Sequence, residues 1–206
     1  MEEKNHNARL EAFCDGVFAI AITLLIIDIK SPSTENITST ADLWMAIQHL
    51  APNIVAFVLS FIVILITWVN HHAALRLVSK SSPQFIFANG LLLLTVVSVP
   101  FPTALMGEFV LTQHAAPAVV LYSAVCALQA VSWVLLTKTA LHPANPLTKN
   151  EKAMLVIRGM LQKAYYAFVL YTVCAVMAFW FPMTIVIVVT ITWIAWLVVA
   201  ITTKME

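Results

Sequence analysis

The sequence predicts an all-α membrane protein with six transmembrane helices per subunit, and three observations carry that prediction. Of 206 residues, 61% are hydrophobic and only 10% charged, with a mean hydropathy of +0.91; a soluble domain is excluded by that balance. The apolar residues gather in six segments, at about 12–29, 43–69, 85–106, 117–137, 161–181 and 183–203, separated by short hydrophilic joins. If the chain starts inside, Lys4, Arg9, Arg76, Lys80, Lys138, Lys149, Lys152, Arg158, Lys163 and Lys204 all fall on the inner side, and only Lys30 falls outside. By the positive-inside rule, N and C termini are both expected to be cytoplasmic. No internal repeat is visible, so residues 1–206 read as one six-helix unit.

The first segment is the shortest. Its uncharged core, Gly16 to Ile27, is twelve residues, or roughly 18 Å at ~1.5 Å each, well short of a ~30 Å hydrocarbon layer. Such a helix is expected inside a bundle, shielded from lipid by longer neighbours. At about 100° per residue, Ile20, Thr23, Leu24 and Ile27 fall on one stripe, which Phe13 and Gly16 extend. Ordinary helix packing produces the same spacing. Asp15 points about 140° away from Ile20, and at membrane depth it needs a partner within the bundle. The residues before this helix, Met-Glu-Glu-Lys-Asn-His-Asn, lack the basic-then-apolar layout of a signal peptide, so the helix is expected to be retained.

A polar loop from Ser31 to about Asp42 follows; its Asn36-Ile-Thr38 is a formal glycosylation acceptor of a kind common by chance. Ala41 to His72 then reads as one long helix, interrupted at most by a kink at Pro52. Asn53, Ser60 and Thr67 recur every seven residues, a narrow polar seam suited to close helix contact. The helix ends in Trp68-Val-Asn-His-His, at the level of Arg9 and Asp15. One of Asn70, His71 or His72 is expected to hydrogen-bond the Asp15 region and lock the first helix to the second. A metal is not indicated there, because adjacent histidines point about 100° apart and no acidic or thiol ligand is near in sequence.

The third helix, Gln84 to Met106, carries Asn89 and Gly90 early and Pro100 and Pro102 late, and the prolines predict a bent or frayed outer end. The fourth begins after Pro117 and brings Trp133 to the inner interface. Pro143 and Pro146 break the inner loop from Lys138 to Lys163, in which Leu147-Thr-Lys-Asn-Glu resembles a helix start. Tyr165, Tyr166 and Tyr171 open the fifth helix. The turn Phe181-Pro182-Met183 folds the sixth, which has a lipid-facing character, back against it. Cys14, Cys126 and Cys174 are widely spaced in apolar segments and are expected as buried reduced thiols.

Catalytic motifs are missing. No acidic residues pair within a span, and no nucleophile elbow, zinc-protease motif or phosphate-binding glycine loop occurs. Neither an enzyme nor a cofactor is expected. A net charge of +1 gives no reason to expect nucleic acid. Thr-Val-Gly-Tyr-Gly, the carbonyl-ring filter of potassium channels, is also missing. The spans hold essentially no charge, so passive conduction suits them better than ion-coupled transport.

One stretch is distinctive as a whole: Arg9, three residues, then Phe13-Cys14-Asp15-Gly16-Val-Phe-Ala-Ile-Ala-Ile-Thr-Leu-Leu. It resembles the signature of prokaryotic relatives of transmembrane protein 175, the lysosomal potassium channel family, with Cys14 where that family usually has Ser. A thiol bonds more weakly than a hydroxyl, which touches whatever bond the Ser makes. The resemblance implies a homotetramer in a prokaryotic plasma membrane, with the first helix of each subunit lining a central pore for potassium ions. It assigns Ile20, Leu24 and Ile27 to a hydrophobic gate, Thr23 to selectivity, and Arg9, Phe13, Cys14 and Asp15 to a structural motif with Asn70, His71 and His72. A proton-permeable pore of the same architecture, and a non-conducting membrane scaffold, are the alternatives.

Overall fold

The computed structural model describes residues 7–202, so Lys4 and Lys204 of the basic tally, like the termini themselves, lie outside the described residues. Helix α1 spans Ala8–Leu24 and runs on as a 3₁₀ turn, Leu25–Asp28. Those 21 residues reach about 33 Å at ~1.5 Å per α and ~2.0 Å per 3₁₀ residue, enough to cross the hydrocarbon layer. The helix is longer than its uncharged core because its polar first turns are held by neighbouring helices.

A one-turn 3₁₀ segment, Thr34–Asn36, leads to α2, Thr40–His49. Ser39 and Asp42 form a capping box at the start of α2: the Ser39 hydroxyl accepts from the Asp42 amide at 3.2 Å, and Asp42 accepts from the Ser39 amide at 2.8 Å. The expected single helix from Ala41 is broken here rather than kinked. Leu50 separates α2 from α3, Ala51–Arg76, and the membrane span begins only at Ala51. Pro52 explains the break: its ring clashes with the Gln48 carbonyl and it has no N–H to continue the ladder, while the first turn of a new helix accepts it.

The third span consists of α4, Pro83–Ser98, and α5, Pro100–Phe109, joined through Val99. The end expected outside is not frayed. Pro100, Pro102, Thr103 and Gly107 are buried, so the prolines bend a packed helix. The polar seam of α3 meets that bend. Thr103 Oγ1 lies 2.7 Å from Ser60 Oγ, which lies 3.3 Å from Tyr122 OH. A Cβ on Gly107 would come within 2.8 Å of Asn53 Cα, so glycine permits the approach.

Helices α6, Ala115–Ala140, α7, Glu151–Met177, and α8, Pro182–Thr202, complete six apolar spans. Asn150 caps α7, accepting from the Ala153 amide at 2.8 Å. The fifth helix therefore starts at the helix-start motif, ten residues before the apolar segment suggested, and Lys152, Arg158 and Lys163 are helical. Backbone bonds between the α3–α4 and α6–α7 connections (Ser79 N–H to Leu147 O, 2.8 Å; Lys149 N–H to Leu77 O, 3.0 Å) tie that end of the bundle together. All three cysteines are free and buried.

Span packing is uneven. Half or more of the apolar window of α4–α5 and of α6 is buried, but only 22% of that of α1. Helix α1 lies on α3 and α4, and α7 on α6. One face of α8, Ile185, Val189 and Trp193, is buried, and Trp193 stacks on Tyr171 with ring centroids 5.5 Å apart; its other faces are open. The first helix is thus not enclosed by its own chain, and any shielding from lipid has to come from other copies. Only one side of it is covered.

Candidate functional site

The two faces of α1 differ in what they meet. Cys14, Phe18, Ala21 and Leu25, spaced four, three and four apart, are buried with Ile64 of α3 and Leu93 and Val96 of α4. That face anchors the helix. On the other side Phe13, Gly16, Ile20, Thr23, Leu24 and Ile27 are all exposed. Ile20 is 58% and Ile27 67% uncovered, so packing within one chain does not account for the stripe.

The 3₁₀ turn changes the stripe's geometry. Residues three apart in such a turn eclipse one another, so Ile27 sits almost directly beyond Leu24 instead of drifting by about 60° as a continued α-helix would require. Thr23 Oγ1 lies 3.0 Å from the Ala19 carbonyl oxygen and 2.9 Å from that of Ile20. Its proton therefore serves the helix's own backbone, and the oxygen lone pairs remain available to an outside partner. An exposed oxygen with its proton engaged suits a cation better than an anion.

A polar network holds the first turns of α1. Trp68 donates its indole N–H to Asp15 Oδ1 at 2.8 Å, and the Trp68 ring stacks on His72 at 5.9 Å. His72 Nδ1 meets Glu11 Oε1 at 3.0 Å. His71 turns the other way: its Nε2 lies 2.6 Å from Asn89 Oδ1, and Asn89 Nδ2 donates to Cys14 Sγ at 3.0 Å. With the Asn89 amide in this orientation its oxygen faces His71, and the bond is made by the tautomer that carries a proton on Nε2. His71, Asn89 and Cys14 are all at most 1% exposed, and Phe18 packs on the His71 ring at 5.4 Å.

The partner of Asp15 is therefore Trp68, not Asn70, His71 or His72. His72 reaches α1 one turn away at Glu11, His71 reaches it through Asn89, and Asn70 lines a cavity bounded by α3, α6, α7 and α8. Arg9 and Phe13 are exposed and take no part in the network. Sequence reasoning missed Trp68, Asn89 and Glu11. The available signal was that an indole N–H is a donor at the depth where Asp15 needs one, and that an Asn in an apolar helix needs partners on both ends of its amide. Among the described residues, no three His, Cys, Asp or Glu side chains converge to hold a metal.

Comparison with known proteins places this arrangement. The family described as "Endosomal/lysosomal potassium channel TMEM175" matches residues 9–100. A potassium channel of Chamaesiphon minutus is 45% identical over 123 residues, 60% of each chain, and one of Streptomyces collinus is 43% identical over 148 residues, 69% of each. The matched region thus spans under two thirds of the first relative's length. The crystal structure of a lysosomal potassium-selective channel TMEM175 homolog from Chamaesiphon minutus superposes with a TM-score of 0.83 at 34% identity, over 94% of this chain and 97% of that one.

Proposed function

Because this chain, a multi-pass integral membrane protein, belongs to the TMEM175 channel family, we propose that it is a potassium-selective cation channel in which four copies surround a pore lined by α1. The observation that supports this reading is the uncovered, uncharged stripe of Ile20, Thr23, Leu24 and Ile27 on a helix whose opposite face is fixed by buried contacts. A helix so anchored presents the stripe in one orientation, as a pore wall requires.

Four Ile20 side chains around an axis form a ring too narrow and too apolar for a hydrated ion, and rings of this kind close by dewetting. Opening requires the α1 helices to splay or rotate until water fills the ring. Thr23 lies about one turn from Ile20, and four of its hydroxyl oxygens would replace part of a cation's water shell. Potassium sheds that shell more readily than sodium, so the site favours potassium, less steeply than a full carbonyl filter does. Asp28, which ends the 3₁₀ turn, and Lys30 just past it are both exposed and offset one another at that mouth. The basic excess at the other end supports a cytoplasmic position for both termini, and no catalytic step is involved.

The test is ion flux into liposomes with purified protein. Ile20→Asn wets the constriction and is expected to raise potassium flux several-fold; unchanged flux would remove Ile20 as the gate. Reversal potentials in potassium, sodium and pH gradients separate a potassium pathway from a proton pathway along transient water. A silent assembled tetramer would favour a scaffold.

A further inference from the structure

Between α3, α6, α7 and α8, on the side of the protomer away from α1, lies a cavity of about 560 Å³, within the roughly 300–1,000 Å³ of small-ligand sites. It exists because its walls are built of small residues: Ala73 on α3, Ala130 on α6, Gly159, Ala164 and Ala167 on α7, and Ala200 on α8. Along α3 it runs from Ile66 to Leu77, eleven steps or ~16 Å, about one leaflet of a ~30 Å hydrocarbon layer. Cys126, Tyr171 and Trp193 close the deep end, and Arg76 and Lys163, both exposed, line the rim.

Two features specify an occupant. Among the described residues no carboxylate lines the cavity and neither Arg76 nor Lys163 pairs with one, so the described rim sets two positive charges over an apolar interior. Gln129 sits on the α6 wall between Trp133 and Cys126; it is only 4% exposed, and no group among the described residues accepts from its Nε2. A buried donor without an acceptor calls for one from outside the protein. A phosphate at the rim, ester oxygens below it and an acyl chain beneath them match this sequence of groups from surface to depth. Juxtamembrane basic residues attract anionic lipid in the same way.

We propose that this cavity binds one anionic phospholipid of the surrounding bilayer per subunit, with its phosphate at Arg76 and Lys163, its ester oxygens near Gln129 and an acyl chain between α7 and α8. Nothing in this depends on conduction, since the site is remote from the α1 stripe.

Native mass spectrometry of the assembled full-length protein, titrated with dioleoyl phosphatidylglycerol or dioleoyl phosphatidylcholine, tests it. Wild type is expected to hold one phosphatidylglycerol per subunit, at least ~10-fold tighter than phosphatidylcholine. Arg76→Gln with Lys163→Gln should bring the two lipids to near equality. Gly159→Phe, whose new side chain starts in open space, should fill the cavity and abolish phosphatidylglycerol retention. Equal binding of both lipids by wild type, or undiminished retention in Gly159→Phe, would overturn the proposal and assign the lipid to the outer surface. If Gly159→Phe does not assemble, the charge variant decides: an unchanged preference for phosphatidylglycerol has the same consequence. Mass, not current, is read, so neither outcome bears on the channel reading.

Discussion

Cys14 accepts through sulfur a hydrogen bond that a serine would accept through oxygen. Its Sγ accepts from Asn89, which in turn accepts from His71, so one buried chain joins α1, α4 and α3. Cys14→Ser keeps an acceptor and should leave thermal stability in detergent within about 1 kcal/mol, whereas Cys14→Val orphans the Asn89 amide and should cost about 1–3 kcal/mol. Equal losses in the two variants would show that volume, not the hydrogen bond, matters at this position. Thr23 calls for a different measurement. Thr23→Val keeps the shape of the side chain but removes the oxygen, and the reversal potential between potassium and sodium should move toward zero while protein yield is unchanged. Preserved selectivity would dismiss Thr23 from the pathway. The need of Asp15 for a partner was legible in the sequence; the identity of that partner was not. Steps of 100° relate Trp68, His71 and His72 to one another, but only packing decides which of them reaches a carboxylate of α1, and it is Trp68 and His72, one turn apart, that do, while His71 meets Phe18 and Asn89.

The helices show where local rules sufficed and where contacts between distant segments took over. Asn150 as a cap, the seven-residue seam of α3 and the prolines of the third span were all readable from sequence. What the prolines would do was not, because burial of α5 depends on Gly107 meeting Asn53 across 54 positions of chain. Gly107→Ala places a Cβ 2.8 Å from a backbone atom, so the helices must part, at about 1–3 kcal/mol. Because the clash includes Asn53 Cα, truncating Asn53 to Ala should not restore the loss, and full rescue in a thermal-melt series would refute the assigned contact. The start of α2 is governed by charge instead. Hydrogen bonds from the Thr38 hydroxyl, from the Ser39 side and from the Thr38 amide hold the Asp42 carboxyl below its ordinary value. A carboxylate with a lowered folded-state pKa stabilises its surroundings above the unfolded value and ceases to do so as pH falls through the folded one. Protection factors at Thr38 and Ser39, that is, exchange rates corrected for the intrinsic slowing of exchange in acid, should therefore be high near neutrality and fall only at acid pH, below the usual carboxylate range. Asp42→Asn should remove most of that pH dependence.

Across the whole protomer the least covered surfaces lie on α1 and on the outward sides of α7 and α8, and these cannot all face the same surroundings if α1 lines a pore. Six spans and a basic end were plain from composition and charge, since both follow from transfer of side chains between water and lipid. The subunit arrangement is invisible to that reasoning, because a stripe of isoleucines satisfies lipid and a neighbouring subunit equally well. The two environments make opposite demands on a cysteine. Cys14, Cys126 and Cys174 are buried and give little background in an oxidation assay, so single cysteines can be added to the native chain. At Ile20 or Leu24, facing a four-fold axis, thiols from neighbouring subunits would approach within the ~4.4–6.8 Å Cα separation a disulfide needs once the helices breathe, and mild oxidation of membranes should give a dimer band on non-reducing gels. A cysteine at Ile187, 58% exposed on α8 and on the lipid side in this arrangement, should stay monomeric under the same oxidant. Crosslinking at Ile187 without crosslinking at Ile20 would place α8 at the axis and turn the arrangement inside out, because the α1 stripe would then be a lipid-facing surface and its isoleucines would have no ion to exclude.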